Sequence, residues 1–184
     1  MKTIRTQIYA DGADYESIIN LNKNKIIRGF TTNPSLMRKS GVKNYQNFSK
    51  KILKKINNKP VSFEVFSDNV KEILYQSNII SSWGKNVFVK IPIQNSKGKD
   101  LSDLILSLNS KGIKINVTAV FTFEQVKKII NKVGTKSEII LSIFAGRIAD
   151  TGKDPEPIVK KILNYFKSKK NIKILWESSR EIFN

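Results

Sequence analysis

Among 28 lysines and 5 arginines, one lysine has an unusual setting: Lys90 lies inside Asn86-Val87-Phe88-Val89-Lys90-Ile91-Pro92-Ile93, an otherwise apolar strand-like run. Burying an ammonium is costly, so such a setting favours the neutral amine, which attacks carbonyl carbon and forms a Schiff base. A lysine snorkelling from a strand end would explain the same residue without any chemistry. Glu64, within Val61-Ser62-Phe63-Glu64-Val65-Phe66, is a second charge in a strand interior, and Asp11 ends the run Tyr9-Ala10-Asp11. A buried carboxylate near a buried lysine can be a structural ion pair. It can also act chemically. An amine adding to a ketone must lose water, and breaking a carbon–carbon bond beside a hydroxyl requires that proton to leave; two carboxylates serve both steps.

Other polar residues end the remaining strand-like runs. Thr31-Thr32-Asn33-Pro34-Ser35 offers hydroxyls and the Asn33 amide, although Ser, Thr and Asn before a proline also make an ordinary helix start. Asn116 and Thr118 are two residues apart, so both point to one face of a strand. Ser142-Ile143-Phe144-Ala145-Gly146-Arg147 and Ser178-Ser179-Arg180 each supply a hydroxyl and an arginine, the pairing that grips phosphate, and two of the five arginines fall there.

Composition removes competing chemistries. The 184 residues contain no histidine and no cysteine, which excludes Ser-His-Asp and Cys-His pairs, His or Cys metal ligation and disulfides. The net charge of +18 attracts phosphates of any kind. Lysine dominates it and is scattered through every inter-strand segment, which is the mark of solvated faces more than of a dedicated nucleic-acid surface. No apolar run approaches the ~20 residues of a membrane span, and the opening residues lack a secretory signal's apolar stretch, so a cytoplasmic protein is expected.

The elements that must position these residues alternate. Strand-like runs cover 6–10, 26–32, 60–66, 86–93, 113–120, 138–145 and 171–177. Several are apolar on consecutive positions, as in Val87-Phe88-Val89 and Ile139-Ile140-Leu141, which predicts parallel strands buried on both faces. Between them, Tyr45, Phe48, Ile52 and Ile56 form one helical stripe and Leu101, Leu104, Ile105 and Leu108 another. Thr122 with Gln125 makes a capping box ahead of Val126, Ile129, Ile130 and Val133, with Gly134 as a stop. Asp154-Pro155 opens a helix carrying Ile158, Val159, Ile162 and Phe166. Repeated βα units form either a doubly wound sheet or a barrel. The absence of an early Gly-x-Gly-x-x-Gly or P-loop signature, and polar residues at the ends of many strands, favour a TIM (β/α)8-type barrel. Seven βα units are readable and the eighth strand is missing from the count, which leaves the first and seventh strands as open edges.

Taken in order, Tyr9-Ala10-Asp11-Gly12-Ala13-Asp14, Thr31-Thr32-Asn33-Pro34-Ser35, Val89-Lys90-Ile91-Pro92, Asn116-Val117-Thr118, Phe144-Ala145-Gly146-Arg147-Ile148 and Ser178-Ser179-Arg180 resemble the transaldolase family, in particular its small members that grade into fructose-6-phosphate aldolases. The resemblance implies one barrel domain over 1–184, short of its C-terminal part. It also implies transfer of a dihydroxyacetone unit between sugar phosphates in pentose phosphate carbohydrate metabolism, without metal or organic cofactor. It makes Lys90 the Schiff-base lysine and Asp11 the acid/base at the donor's C4 hydroxyl, with Glu64 and Thr118 holding the water of imine formation. Asn33 and Asn116 would bind donor hydroxyls, while Ser142, Arg147, Ser178 and Arg180 would grip the phosphate. Phe144 and Glu64 together are the transaldolase combination, since small aldolase members carry Tyr and Gln there.

Glu177 and Ser179 depart from the pattern, standing where the family more often has small and aromatic residues. The resemblance implies sugar phosphates as partners and permits a homo-oligomer; the family's rings, however, use C-terminal helices beyond these motifs. Three other readings remain open at this stage: a fructose-6-phosphate aldolase-type lyase, an inactive truncated scaffold, and a basic nucleic-acid-binding protein.

Overall fold

The computed structural model describes residues 6–166 and 169–179. All seven runs read as strands are strands: β1 (Ile8–Asp11), β2 (Ile27–Thr31), β3 (Val61–Glu64), β4 (Val87–Pro92), β5 (Ile115–Val120), β6 (Ile139–Ile143) and β7 (Ile172–Trp176). Helices α1 (Tyr15–Lys23), α2 (Pro34–Lys39), α3 (Tyr45–Leu53), α4 (Val70–Ser81), α5 (Ser102–Ser110), α6 (Phe123–Lys132), α7 (Ala145–Ala149) and α8 (Glu156–Tyr165) connect them. The strands follow one another in the sheet in chain order, β1 through β7. This is the winding of a (β/α) barrel-type fold; a doubly wound sheet reverses its order partway. The chain divides into two compact units: one runs through Phe66 and includes Tyr75–Val89, and the other comprises Ser67–Leu74 and the chain from Lys90 onward.

In the first unit β1 pairs with β2 and β2 with β3, both parallel, and the Val61 amide donates to the Asn86 carbonyl at 3.0 Å, carrying the ladder toward β4. The α3 stripe does what its spacing requires. Ile52 is fully buried, and so is Ile56, which lies beyond the last helical turn. Phe30, Val61 and Phe63 complete this core from the sheet. Tyr45, at the head of α3, meets Phe63 and Trp83 edge-on at 6.1 and 5.6 Å between ring centroids, a geometry that aligns ring edge with ring face. Gly29 in β2 is required sterically, because a Cβ there would collide with the Tyr9 ring.

In the second unit β5, β6 and β7 pair in parallel. Every residue of β6 is buried, as expected of a strand covered on both faces. Helix α6 begins with the capping box read from the sequence: Thr122 accepts from the Gln125 amide while the Gln125 side chain accepts from the Thr122 amide. Its stripe of Val126, Ile129 and Ile130 packs inward. Asp154 caps the turn before α8 by accepting from the Glu156 amide at 2.8 Å. Among the described residues no helix is long and apolar enough to cross a membrane.

The end of the strands opposite the site is tied by charge. Glu138, just before β6, is reached by Lys173 of β7 at 2.9 Å and by Lys114, next to β5, at 3.2 Å. Partial burial opposes ionisation of Glu138, but the two ammonium groups outweigh it and hold the carboxyl below the usual glutamate range. A depressed folded-state value means that this carboxylate's contribution is complete above the ordinary value of 4.5 and is lost as pH falls through the lowered one. Thermal melting of the wild type and Glu138→Gln from neutral pH down to about pH 3 checks this. The wild type should melt higher at neutral pH and the gap should close on acidification; a gap independent of pH would contradict the assignment.

Candidate active site

Lys90 is the fourth residue of β4, and all residues of that strand up to Ile91 are buried. Its side chain is 4% exposed, so the amine does not snorkel to solvent. The amine instead meets a carboxylate: Lys90 Nζ lies 2.8 Å from Glu177 Oε1, and Glu177 is itself only 11% exposed. The other carboxylate oxygen, Oε2, accepts from Thr118 Oγ1 at 3.4 Å. One carboxylate thus spans an amine from β4 and a hydroxyl from β5.

The backbone fixes that carboxylate. Glu177 follows the last residue of β7, and its amide donates to the Ile143 carbonyl at 2.8 Å; its own carbonyl accepts from Gly146 at 3.4 Å. The Phe144 amide similarly reaches the Val120 carbonyl at 2.9 Å, so the ladder from β5 through β7 continues past the strand ends. Two residues that are not glycine have left-handed backbones here, Ala119 at φ 55° and Ser178 at φ 61°. Each directly follows one of the two residues that meet at the carboxylate, Thr118 and Glu177. Left-handed conformations cost roughly 1–2 kcal/mol for residues with a Cβ and gather where a site over-determines the backbone. At Ala119 the turn coincides with an irregularity in the pairing of β5 with β6 between Val117 and Val120.

Asn116 and Thr118 are both buried, as is Val117 between them. Asn116 Oδ1 accepts from Ser142 Oγ at 2.7 Å, and both residues are fully buried, so Ser142 orients the amide of Asn116. Phe144 precedes α7, with its ring edge-on to Phe121 at 5.7 Å between centroids. Arg147 is exposed on α7 and lies 3.7 Å from Asp150. Ser178 is half-buried beside Glu177, and Arg180 lies outside the described residues.

The remaining expected residues belong to the first unit. Asp11 ends β1 opposite Thr31 of β2, whose hydroxyl donates to Asp11 Oδ1 at 3.0 Å. Asn33 caps α2 by accepting from the Leu36 amide at 2.8 Å, which uses its carbonyl oxygen and leaves the amide NH2 to be placed by the cap. Glu64 ends β3, where its backbone carbonyl accepts from the Tyr45 hydroxyl at 3.0 Å. Burial pushes the Tyr45 hydroxyl well above the usual phenol range, so it stays neutral as it donates to that carbonyl.

Sequence reasoning missed Glu177 as a site residue, noting it only as a departure. The available signal was the one used for Lys90: a charge directly after the predominantly apolar run Ile172-Lys173-Ile174-Leu175-Trp176. Its partner is 87 positions away, so only the fold reveals the pairing. Thr31, quoted in the sequence as part of a motif, emerges as the residue that holds Asp11.

Residues 8–184 match the family model described as Transaldolase/Fructose-6-phosphate aldolase. A probable transaldolase of Sulfurihydrogenibium sp. is 34% identical over 169 residues, covering 90% of this chain and 73% of the relative. One from Nitrosopumilus maritimus is also 34% identical, over 167 residues, with 91% and 71% covered. One from Herpetosiphon aurantiacus is 33% identical over 162 residues, with 88% and 69% covered. By the match over residues 8–184 and by these relatives, this chain, with strands wound in chain order, belongs to the transaldolase/fructose-6-phosphate aldolase family.

Proposed function

We propose that the protein is a Schiff-base enzyme of transaldolase type, moving a three-carbon dihydroxyacetone unit from a ketose phosphate to an aldose phosphate. The observation that carries this reading is the buried Lys90 amine, 2.8 Å from a carboxylate and excluded from solvent. An amine so placed meets the two demands of imine chemistry: removal from bulk water, and a proton acceptor within hydrogen-bond reach.

The reaction follows from that amine. Lys90 attacks the C2 ketone of the donor, and water leaves to give a protonated imine. Asp11 takes the proton of the C4 hydroxyl; the C4–O electrons form the aldehyde as the C3–C4 bond breaks, and the bonding pair moves into the iminium to leave an enamine. The enamine carbon attacks the acceptor aldehyde carbon, the carbonyl π pair moves to oxygen and takes back the proton held by Asp11, and water then adds to the iminium to free Lys90 and the new ketose phosphate. No electron leaves the substrates and no redox partner is required. The roles of Asp11 and of Glu64, the latter with Thr118 at the water of imine formation, rest on the motif resemblance, as does the binding of donor hydroxyls by Asn33 and Asn116.

By the motif resemblance the phosphate falls to Arg147, Ser178, Arg180 and Ser142, the last of which donates its buried hydroxyl to Asn116 Oδ1 in this structure. The exposure of Arg147 supports its share, since a 60% exposed guanidinium whose described carboxylate neighbour, Asp150, lies at 3.7 Å exchanges partners at little cost. Transfer in preference to simple cleavage rests on Phe144 and Glu64, the pair of identities that goes with transaldolases.

An assay of ketose phosphate consumption, run with and without an aldose phosphate acceptor, tests the reading. Consumption by the wild type should rise with acceptor. Lys90→Arg keeps the charge beside Glu177 but cannot form the imine, and should lower turnover on the order of 10³-fold or more while melting near the wild type. Consumption indifferent to acceptor would assign the aldolase-type lyase instead, and a Lys90→Arg variant as active as the wild type would end the Schiff-base proposal.

A further inference from the structure

We infer that Glu177 is a catalytic residue, the proton carrier for imine formation at Lys90 in place of the Glu64-held water that the motif resemblance assigns to this step; this assignment rests on the reading of Lys90 as the imine-forming amine. An ammonium and a ketone become an iminium and water, so two of the three protons on Nζ must end on the ketone oxygen, while the positive charge remains on nitrogen. Glu177 Oε1 is 2.8 Å from the nitrogen, within reach of both protons.

The sequence of transfers closes. Glu177 accepts the first proton from the ammonium, which leaves a neutral amine. The nitrogen lone pair forms the N–C bond as the carbonyl π pair moves to oxygen, and Glu177 gives its proton to that oxygen. The nitrogen of the resulting carbinolamine is cationic, and Glu177 accepts a second proton from it. Returning this proton to the hydroxyl expels water as the nitrogen lone pair forms the C=N bond. Glu177 ends ionised beside a cationic iminium, in the same charge arrangement as at the start. No proton is drawn from solvent, as suits a site where both side chains are nearly excluded from it.

Two further observations support a placed carboxylate over an incidental one. Thr118 Oγ1, 3.4 Å from Oε2, holds the second oxygen and directs the first at the amine. The left-handed backbones at Ala119 and Ser178 sit immediately after the two residues that form this contact. An ion pair that only filled space would not explain strain at both of its backbone supports.

Reductive methylation with formaldehyde and cyanoborohydride tests the inference without a sugar phosphate, because it proceeds through an imine on each lysine. Peptide mapping compares Lys90 with the exposed Lys85 and Lys111 as internal references. Wild-type Lys90 should be methylated at least as fast as the references. Glu177→Gln keeps a hydrogen-bond acceptor but cannot carry a proton, and should slow Lys90 about 10²-fold with the references unchanged. Glu177→Asp, which keeps the carboxylate on a shorter arm, should recover part of the rate, and melting curves of both variants confirm that the fold persists. Lys90 methylated in Glu177→Gln at or above the wild-type rate, or not methylated in the wild type, would overturn the assignment. If methylation follows Glu177 as stated but ketose phosphate is not consumed, the proton carrier stands and the sugar-phosphate reading falls.

Discussion

The site depends on one buried charge contact, Lys90 with Glu177. Removing two ions from water costs several kcal/mol for each, and their attraction repays this only with close geometry and further hydrogen bonds. Replacing a buried pair by well-packed apolar residues is often neutral or stabilising by ~1–4 kcal/mol, so fold stability alone does not account for it. The surrounding strands are arranged to make the contact possible. β4 brings the amine through an apolar run, the carboxylate follows the last residue of β7, and β5 supplies the hydroxyl that meets its other oxygen.

Order in the fold becomes precision at the site. The ladder that continues through Val120, Phe144 and Glu177 fixes the strand ends against one another; of the two left-handed residues, Ala119 lies immediately before Val120 and Ser178 immediately after Glu177. Fully buried side chains such as Ile115, Val117, Ile139 and Leu141 leave these strands little freedom to shift. The adjacent pair Asn116 and Ser142 follows the same rule: a buried amide is held by a buried hydroxyl, so a polar group that would be costly alone becomes an oriented one.

Much of this was legible in the sequence, for reasons tied to particular residues. The consecutive apolar positions of β4 and β6 announced strands buried on both faces, and Thr122 with Gln125 announced the start of α6. Lys90 was legible because a charge in such a run breaks the pattern, and Asn116 with Thr118 because alternate residues share a face. The first run reads from position 6 with Asp11 at its end; β1 is Ile8–Asp11, beginning two residues later because its pairing with β2 starts at Ile8 and no local pattern reports a pairing partner. The five-residue α7 was beyond reading, being too short for an apolar stripe to repeat. Glu177 escaped for the deepest reason: its meaning lies in a contact with a residue far along the chain, and the resemblance marked its position only as a departure.

The claim at the centre is that the amine of residue 90 bonds covalently to a carbonyl substrate. Borohydride reduction in the presence of fructose 6-phosphate, followed by mass mapping of the peptides, tests it most directly. The account predicts a donor-dependent dihydroxyacetone-derived adduct on the peptide containing Lys90 and on no other lysine. A protein left unmodified, or labelled equally on exposed lysines with Lys90 untouched, would contradict it.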